Sequence, residues 1–213
     1  MIDTPAKLYD SINTNYSGLE TNICFLHKPC KATRLCSTPS KIAVIDFDTV
    51  ERQTAKSEHR SFQPSVDAIT YTESNRIFCF VEIKGWQEFM KHNQITSYEH
   101  PSEDDKVLVA EKAKSYNLSK KFEYSCNLCK KIANDSQVLA KMPVAYIIVS
   151  DINVGSQAID DIASNLTSLA DSSSIWSICD TEMFNNLQIV YGIVEKYYIH
   201  CQDFDDLLNK ISI

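Results

Sequence analysis

The chain has 213 residues, of which 44% are hydrophobic and 23% charged, enough for one packed α/β domain and too apolar for a disordered chain. A formal net charge of −7, from 28 acidic and 21 basic side chains, argues against a protein that coats nucleic acid non-specifically, while leaving room for a local basic patch. No apolar run approaches the roughly eighteen residues of a membrane span, and Met1 to Asp10 lack a basic segment followed by an apolar stretch, so a cytoplasmic protein without membrane contact is expected.

In chain order, Lys7 to Ile12 carry a weak helical pattern, with Pro5 suited to the first turn and Gly18 to the end. Residues 20 to 40 read as irregular, and Lys41 to Phe47 as a strand. Thr49 to Pro64 is polar and reads as a loop. Ser65 to Tyr71 and Ile77 to Lys84 read as two strands of a hairpin joined at Glu73 to Arg76, with a short helix over Trp86 to His92. Ser97 to Lys106 is an acidic loop, and Val107 to Lys114 is helical. Ser119 to Leu139 is the longest helical pattern, with Ser119 as its N-cap. Val144 to Ser150 has the continuous apolar character of a buried strand. Gln157 to Leu169 reads as helix, Leu187 to Cys201 as one long strand or two short ones broken near Gly192 to Lys196, and Phe204 to Ile211 as a final helix. The order predicts one domain: a mixed central sheet flanked by helices, with a core over about residues 5 to 150 and an extension, 151 to 213, packed on it.

The chemistry concentrates on the hairpin. Alternation places Ile77, Cys79, Val81 and Ile83 on one face of the second strand, and Phe78, Phe80, Glu82 and Lys84 on the other. A carboxylate among apolar neighbours needs a partner or a metal. Lys84 is one partner. Asp67, disfavoured in a strand, shares a face with Ile69 and Tyr71 and faces Glu82 if the register agrees. Two converging carboxylates, with the backbone carbonyl of Ile83, suit a hard divalent cation. The plainer alternative is a cross-strand ion pair on a solvated face.

Pro64-x-x-Asp67 followed by Glu82-Ile83-Lys84 across a hairpin resembles the PD-(D/E)xK phosphodiesterase superfamily, with its restriction-endonuclease-like core of helix, three strands, helix and strand. The resemblance implies a Mg²⁺- or Mn²⁺-dependent nuclease acting on DNA or RNA. Asp67 and Glu82 are then metal ligands, Lys84 the catalytic lysine, and Glu20 the candidate for the acid such folds place in the first helix. Pro64 is not adjacent to Asp67, a departure from the strict pattern. By analogy such an enzyme works with a partner subunit or in a bacterial defence system. A catalytically inactive nuclease fold acting as a binding subunit is the alternative.

Other residues are weighed beside these. Lys121 and Ser125 share a helix face and are candidates for substrate contact. Lys120, Lys121, Lys130 and Lys131 make that helix the best basic patch. Cys126-x-x-Cys129 supplies two of the four ligands of a zinc site, with Cys24, His27, Cys30 and Cys36 at irregular spacing. The pair also falls on a stripe with Phe122 and Ala133, which explains it as core. Glu58-His59-Arg60 reads as a solvated loop, with contact to a substrate phosphate by His59 or Arg60 as the alternative. Asp46 and Asp48 share a strand face with Val44 and read as a solvated strand end, with a place near the metal as the alternative.

Overall fold

Thr4 is extended and its side chain caps Lys7 N, so α1 (Pro5–Asn15) starts at Pro5, whose missing N–H costs a first turn nothing. The computed structural model describes residues 2–27, 39–72, 74, 76–97, 100–152, 178–179, 181–183 and 194–211. After α1 the chain forms β1 (Glu20–Thr21) and α2 (Ile23–Leu26), then β2 (Val44–Asp46), α3 (Phe47–Ser57), β3 (Ala68–Tyr71) and β4 (Phe78–Lys84). The crossover from β4 carries α4 (Gln87–His92), α5 (Glu103–Ser115) and α6 (Leu118–Ile132). It returns as β5 (Val144–Ser150), and β6 (Val194–His200) and α7 (Phe204–Lys210) follow later in the chain.

The six strands lie in chain order in one sheet. β1 to β4 are antiparallel neighbours, and β5 and β6 run parallel to β4 and β5. This is an α/β fold with a mixed sheet. Its two faces bury different sets of residues, as strand alternation requires. One face, with Ile69, Phe78, Phe80, Tyr146 and Ile148, is covered by α1, α3, α5 and α6. The other, with Ala68, Cys79, Val81, Ala145 and Ile147, is covered by α2 and α7. Among the described residues no helix is long and apolar enough to cross a membrane.

Several sequence expectations need correction. Thr49 to Pro64 is loop only from residue 58: residues 47–57 form α3, capped by the Asp46 side chain on Thr49 N. Its buried stripe of Phe47, Val50, Glu51, Thr54 and Ala55 is helical in spacing, but Glu51 and Thr54 disguise it as polar. The first long strand correspondingly shrinks to Val44–Asp46. Ser119 is not a cap. Asn117, at φ 53°, precedes the helix, and Asn134, at φ 48°, follows its last residues in the left-handed conformation that ends helices. Val138–Lys141 is a separate 3-10 turn. Glu103–Ser115 starts earlier than its apolar residues suggest, because Ser102 and Asp105 form a reciprocal capping box. The strand expected up to Cys201 is found as β6 over Val194–His200, paired with β5. The expected helix Gln157 to Leu169, the beginning of the strand expected from Leu187, and Cys30 and Cys36 lie outside the described residues.

Candidate active site on the β3–β4 hairpin

The hairpin is closed locally. Thr72 N donates to Ile77 O at 3.1 Å, and Thr72 Oγ1 accepts from Ile77 N at 3.2 Å. The register pairs Ala68 with Val81, and Asp67 lies in the bend immediately before β3, beyond the paired residues. Phe78 and Phe80 pack in one apolar layer and Cys79 and Val81 in the other, with Glu82 and Lys84 on the side of the phenylalanines.

Glu82 is fully buried. Its Oε1 accepts from two ammonium groups, Lys84 Nζ and, at 2.5 Å, Lys121 Nζ. Oε2 is also buried and has no hydrogen-bond partner among the described residues. Burial pushes the Glu82 carboxyl up from its ordinary pKa, and the two lysines pull against that shift. Asp67 is half-buried. Its Oδ2 accepts the Ile83 N–H at 2.6 Å, and its Oδ1 lies 3.9 Å from Lys121 Nζ. One ammonium thus reaches both carboxylates. Burial works against the Lys121 charge, but Glu82 and Asp67 outweigh it and hold its pKa above the ordinary value. Lys84 is fixed from the other side, with Nζ 4.6 Å from the centroid of the Tyr116 ring.

Beside Asp67 and Ile83 opens a cleft of about 400 Å³. Asp46, Asp48 and Glu88 also line it, together with His27. Asp46 and Asp48 do not sit on one strand face as their alternation suggests. They straddle the start of α3, and both turn up at the cleft. His27 Nε2 lies 3.8 Å from Asp151 Oδ2. Desolvation lowers the His27 pKa, and Asp151 and Asp67 work in the opposite direction. Asp151 also accepts the Trp86 N–H at 2.6 Å, which fixes the turn immediately after Lys84 to the end of β5. Sequence reasoning missed this aspartate. Its signal was an acid placed directly after the apolar run Val144 to Ser150. His27 was noticed only as a zinc candidate.

The remaining candidates divide. Lys121 reaches the site. Ser125 does not face the cleft as a substrate-contacting side chain would: it is fully buried, and its Oγ accepts the Val66 N–H at 2.9 Å, pinning the residue next to Asp67 to α6. Glu20 departs from its expected role as an acid of the first helix. It is exposed on β1, where Oε2 accepts from Tyr9 Oη at 3.0 Å and Asn13 Nδ2 at 3.2 Å. Three strand spacings separate β1 from β4, about 14 Å, so Glu20 and Glu82 do not share an ion. Among the described residues no three His, Cys, Asp or Glu side chains converge on a common metal position. Cys126 and Cys129 are buried in the apolar layer, and burial pushes the Cys126 thiol up to about 12, so the pair belongs to the core. Glu58, His59 and Arg60 form the expected loop, but Arg60 is half-buried. Its guanidinium grips buried Glu51 through two hydrogen bonds of 2.6 and 2.8 Å.

No protein-family model matches this chain, and comparison with curated proteins and with solved structures finds no match.

Proposed function

We propose that the chain is a Mg²⁺- or Mn²⁺-dependent nuclease that hydrolyses phosphodiester bonds of DNA or RNA at the Asp67, Glu82 and Lys84 site, in a core arranged like that of restriction endonucleases. The observation that carries this reading is Glu82. A fully buried carboxylate with one oxygen shared by two lysines and the other without a hydrogen-bond partner among the described residues is costly for the fold, and costly buried charge concentrates at functional sites. Supporting it, β2 to β4 are antiparallel neighbours, β5 is parallel to β4 and helices cross between β4 and β5, although α3 interrupts the three strands between β2 and β3.

The donor set fits a hard cation that keeps several waters. Asp67 and Glu82 offer two carboxylates that one ammonium reaches, with the Ile83 carbonyl as a third oxygen. Cys126 and Cys129 lie in the apolar layer on this side of the sheet, and burial holds them as core thiols, which disfavours zinc. A bound divalent ion polarises a phosphate and lowers the pKa of a coordinated water. Around it, the Ile83 N–H holds Asp67 in orientation. Lys84, backed by Tyr116, places a positive charge where negative charge develops on the phosphate. The cleft itself is acidic, with Asp46, Asp48, Asp67 and Glu88, so a phosphodiester enters it only with a cation to reverse the local sign.

The test is cleavage of supercoiled plasmid, single-stranded DNA and RNA in Mg²⁺, Mn²⁺ or EDTA. Cleavage is expected with metal only, and Glu82→Gln and Lys84→Met each lower the rate by about 100-fold or more. A second reading, a nuclease fold used for binding alone, is favoured by one feature. Lys84 and Lys121 already neutralise the two carboxylates. It predicts no cleavage of any of the three substrates in any metal.

A further inference from the structure

We propose that Lys121 is a tethered cation that stands in the divalent ion's place between Glu82 and Asp67, and that its departure sets how tightly the chain takes that ion. The inference rests on the metal site proposed above. An ammonium 2.5 Å from Glu82 Oε1 and 3.9 Å from Asp67 Oδ1 occupies the space between the two carboxylates. A divalent ion at ligand distances near 2 Å from the same oxygens meets that charge at contact range, where like charges repel strongly. One of the two must leave.

Lys121 is the group able to move. Glu82 is fully buried on a central strand, and its Oε2, without a hydrogen-bond partner among the described residues, leaves a ligand position beside the one the lysines share. Lys84 rests against the Tyr116 ring and its side chain is 10% exposed. Lys121 is 21% exposed, at the end of a flexible four-carbon stem. The helix beneath it does not need to shift, because Ser125, one turn on, remains bonded to Val66 N. Once displaced, the Lys121 ammonium stands beside the ion, within reach of a phosphodiester that the ion holds. Metal entry thereby converts an internal counter-ion into a substrate contact.

The experiment titrates Mn²⁺ alone into the full chain after EDTA treatment, reading unbound Mn²⁺ by its electron paramagnetic resonance signal. The proteins are wild type, Lys121→Met, Lys121→Arg and Glu82→Gln, with circular dichroism confirming that each is folded. Met keeps the length of the stem and removes the charge. It is expected to tighten Mn²⁺ binding by at least about tenfold. Arg keeps the charge and leaves binding near wild type, and Glu82→Gln abolishes it. Equal or weaker binding by Lys121→Met, with Glu82→Gln still abolishing it, overturns the role of Lys121 and leaves the metal site standing. No binding by wild type or by Lys121→Met overturns both.

Discussion

Glu51 and Glu82 are both buried carboxylates, and they are satisfied in opposite ways. Glu51 receives two hydrogen bonds from Arg60 and one from Gln63 N at 2.9 Å, so both its oxygens are used. That pattern is structural. Arg60→Ala is expected to cost about 2–3 kcal/mol of stability, read as a fall in urea midpoint, because it strands a buried charge while Arg60 itself remains partly in water. Among the described residues Glu82 leaves one oxygen without a partner and crowds two cations on the other, a pattern that stability alone does not explain. His27 supplies a pH signature. Its lowered pKa means that the unfolded chain binds a proton before the folded one does, so stability falls as the pH drops from the ordinary histidine value towards the lowered one. His27→Gln is expected to flatten that part of the stability profile, and a proton NMR titration should place the folded pKa below 6.5.

At the scale of elements, the contact between α6 and the hairpin decides the geometry of the site. Ser125→Ala leaves the buried Val66 N–H without an acceptor and is expected to cost about 1–3 kcal/mol by urea unfolding. Because Val66 adjoins Asp67, nuclease activity under the proposed function should fall further than that loss of stability predicts. The hairpin was legible in the sequence, since period-two alternation fixes which side chains share a face, and Glu82 and Lys84 share theirs by being two apart. What lies across from them depended on a register that only the folded pair supplies. α3 was illegible for a different reason. Two of its buried positions are Glu51 and Thr54, which look exposed until Arg60 and Tyr16 Oη, 2.7 Å from Thr54 Oγ1, are seen to satisfy them. Asp151 and His27 reach the site from elements far apart in sequence, and no local pattern marks such meetings.

At the scale of the molecule, the sheet separates two apolar layers, and the second depends on the end of the chain. Phe204, Leu207 and Leu208 of α7 pack over Ala145, Ile147 and Val149, each contributing about 1.5–3 kcal/mol by leaving water. Deleting residues 194–213 uncovers that face and the edge of β5. The truncated chain is expected to be insoluble or to unfold at markedly lower urea than the full chain, as sedimentation and urea titration would show. The topology also divides the site by order of assembly. Asp67, Glu82 and Lys84 belong to a hairpin closed through a short connection, of a kind that forms in about 1–10 μs. Lys121 arrives only when the long crossover between β4 and β5 has folded and docked. Until then the nascent pocket has two carboxylates and a single lysine, so a divalent ion present during folding competes for it on more favourable terms than one added afterwards.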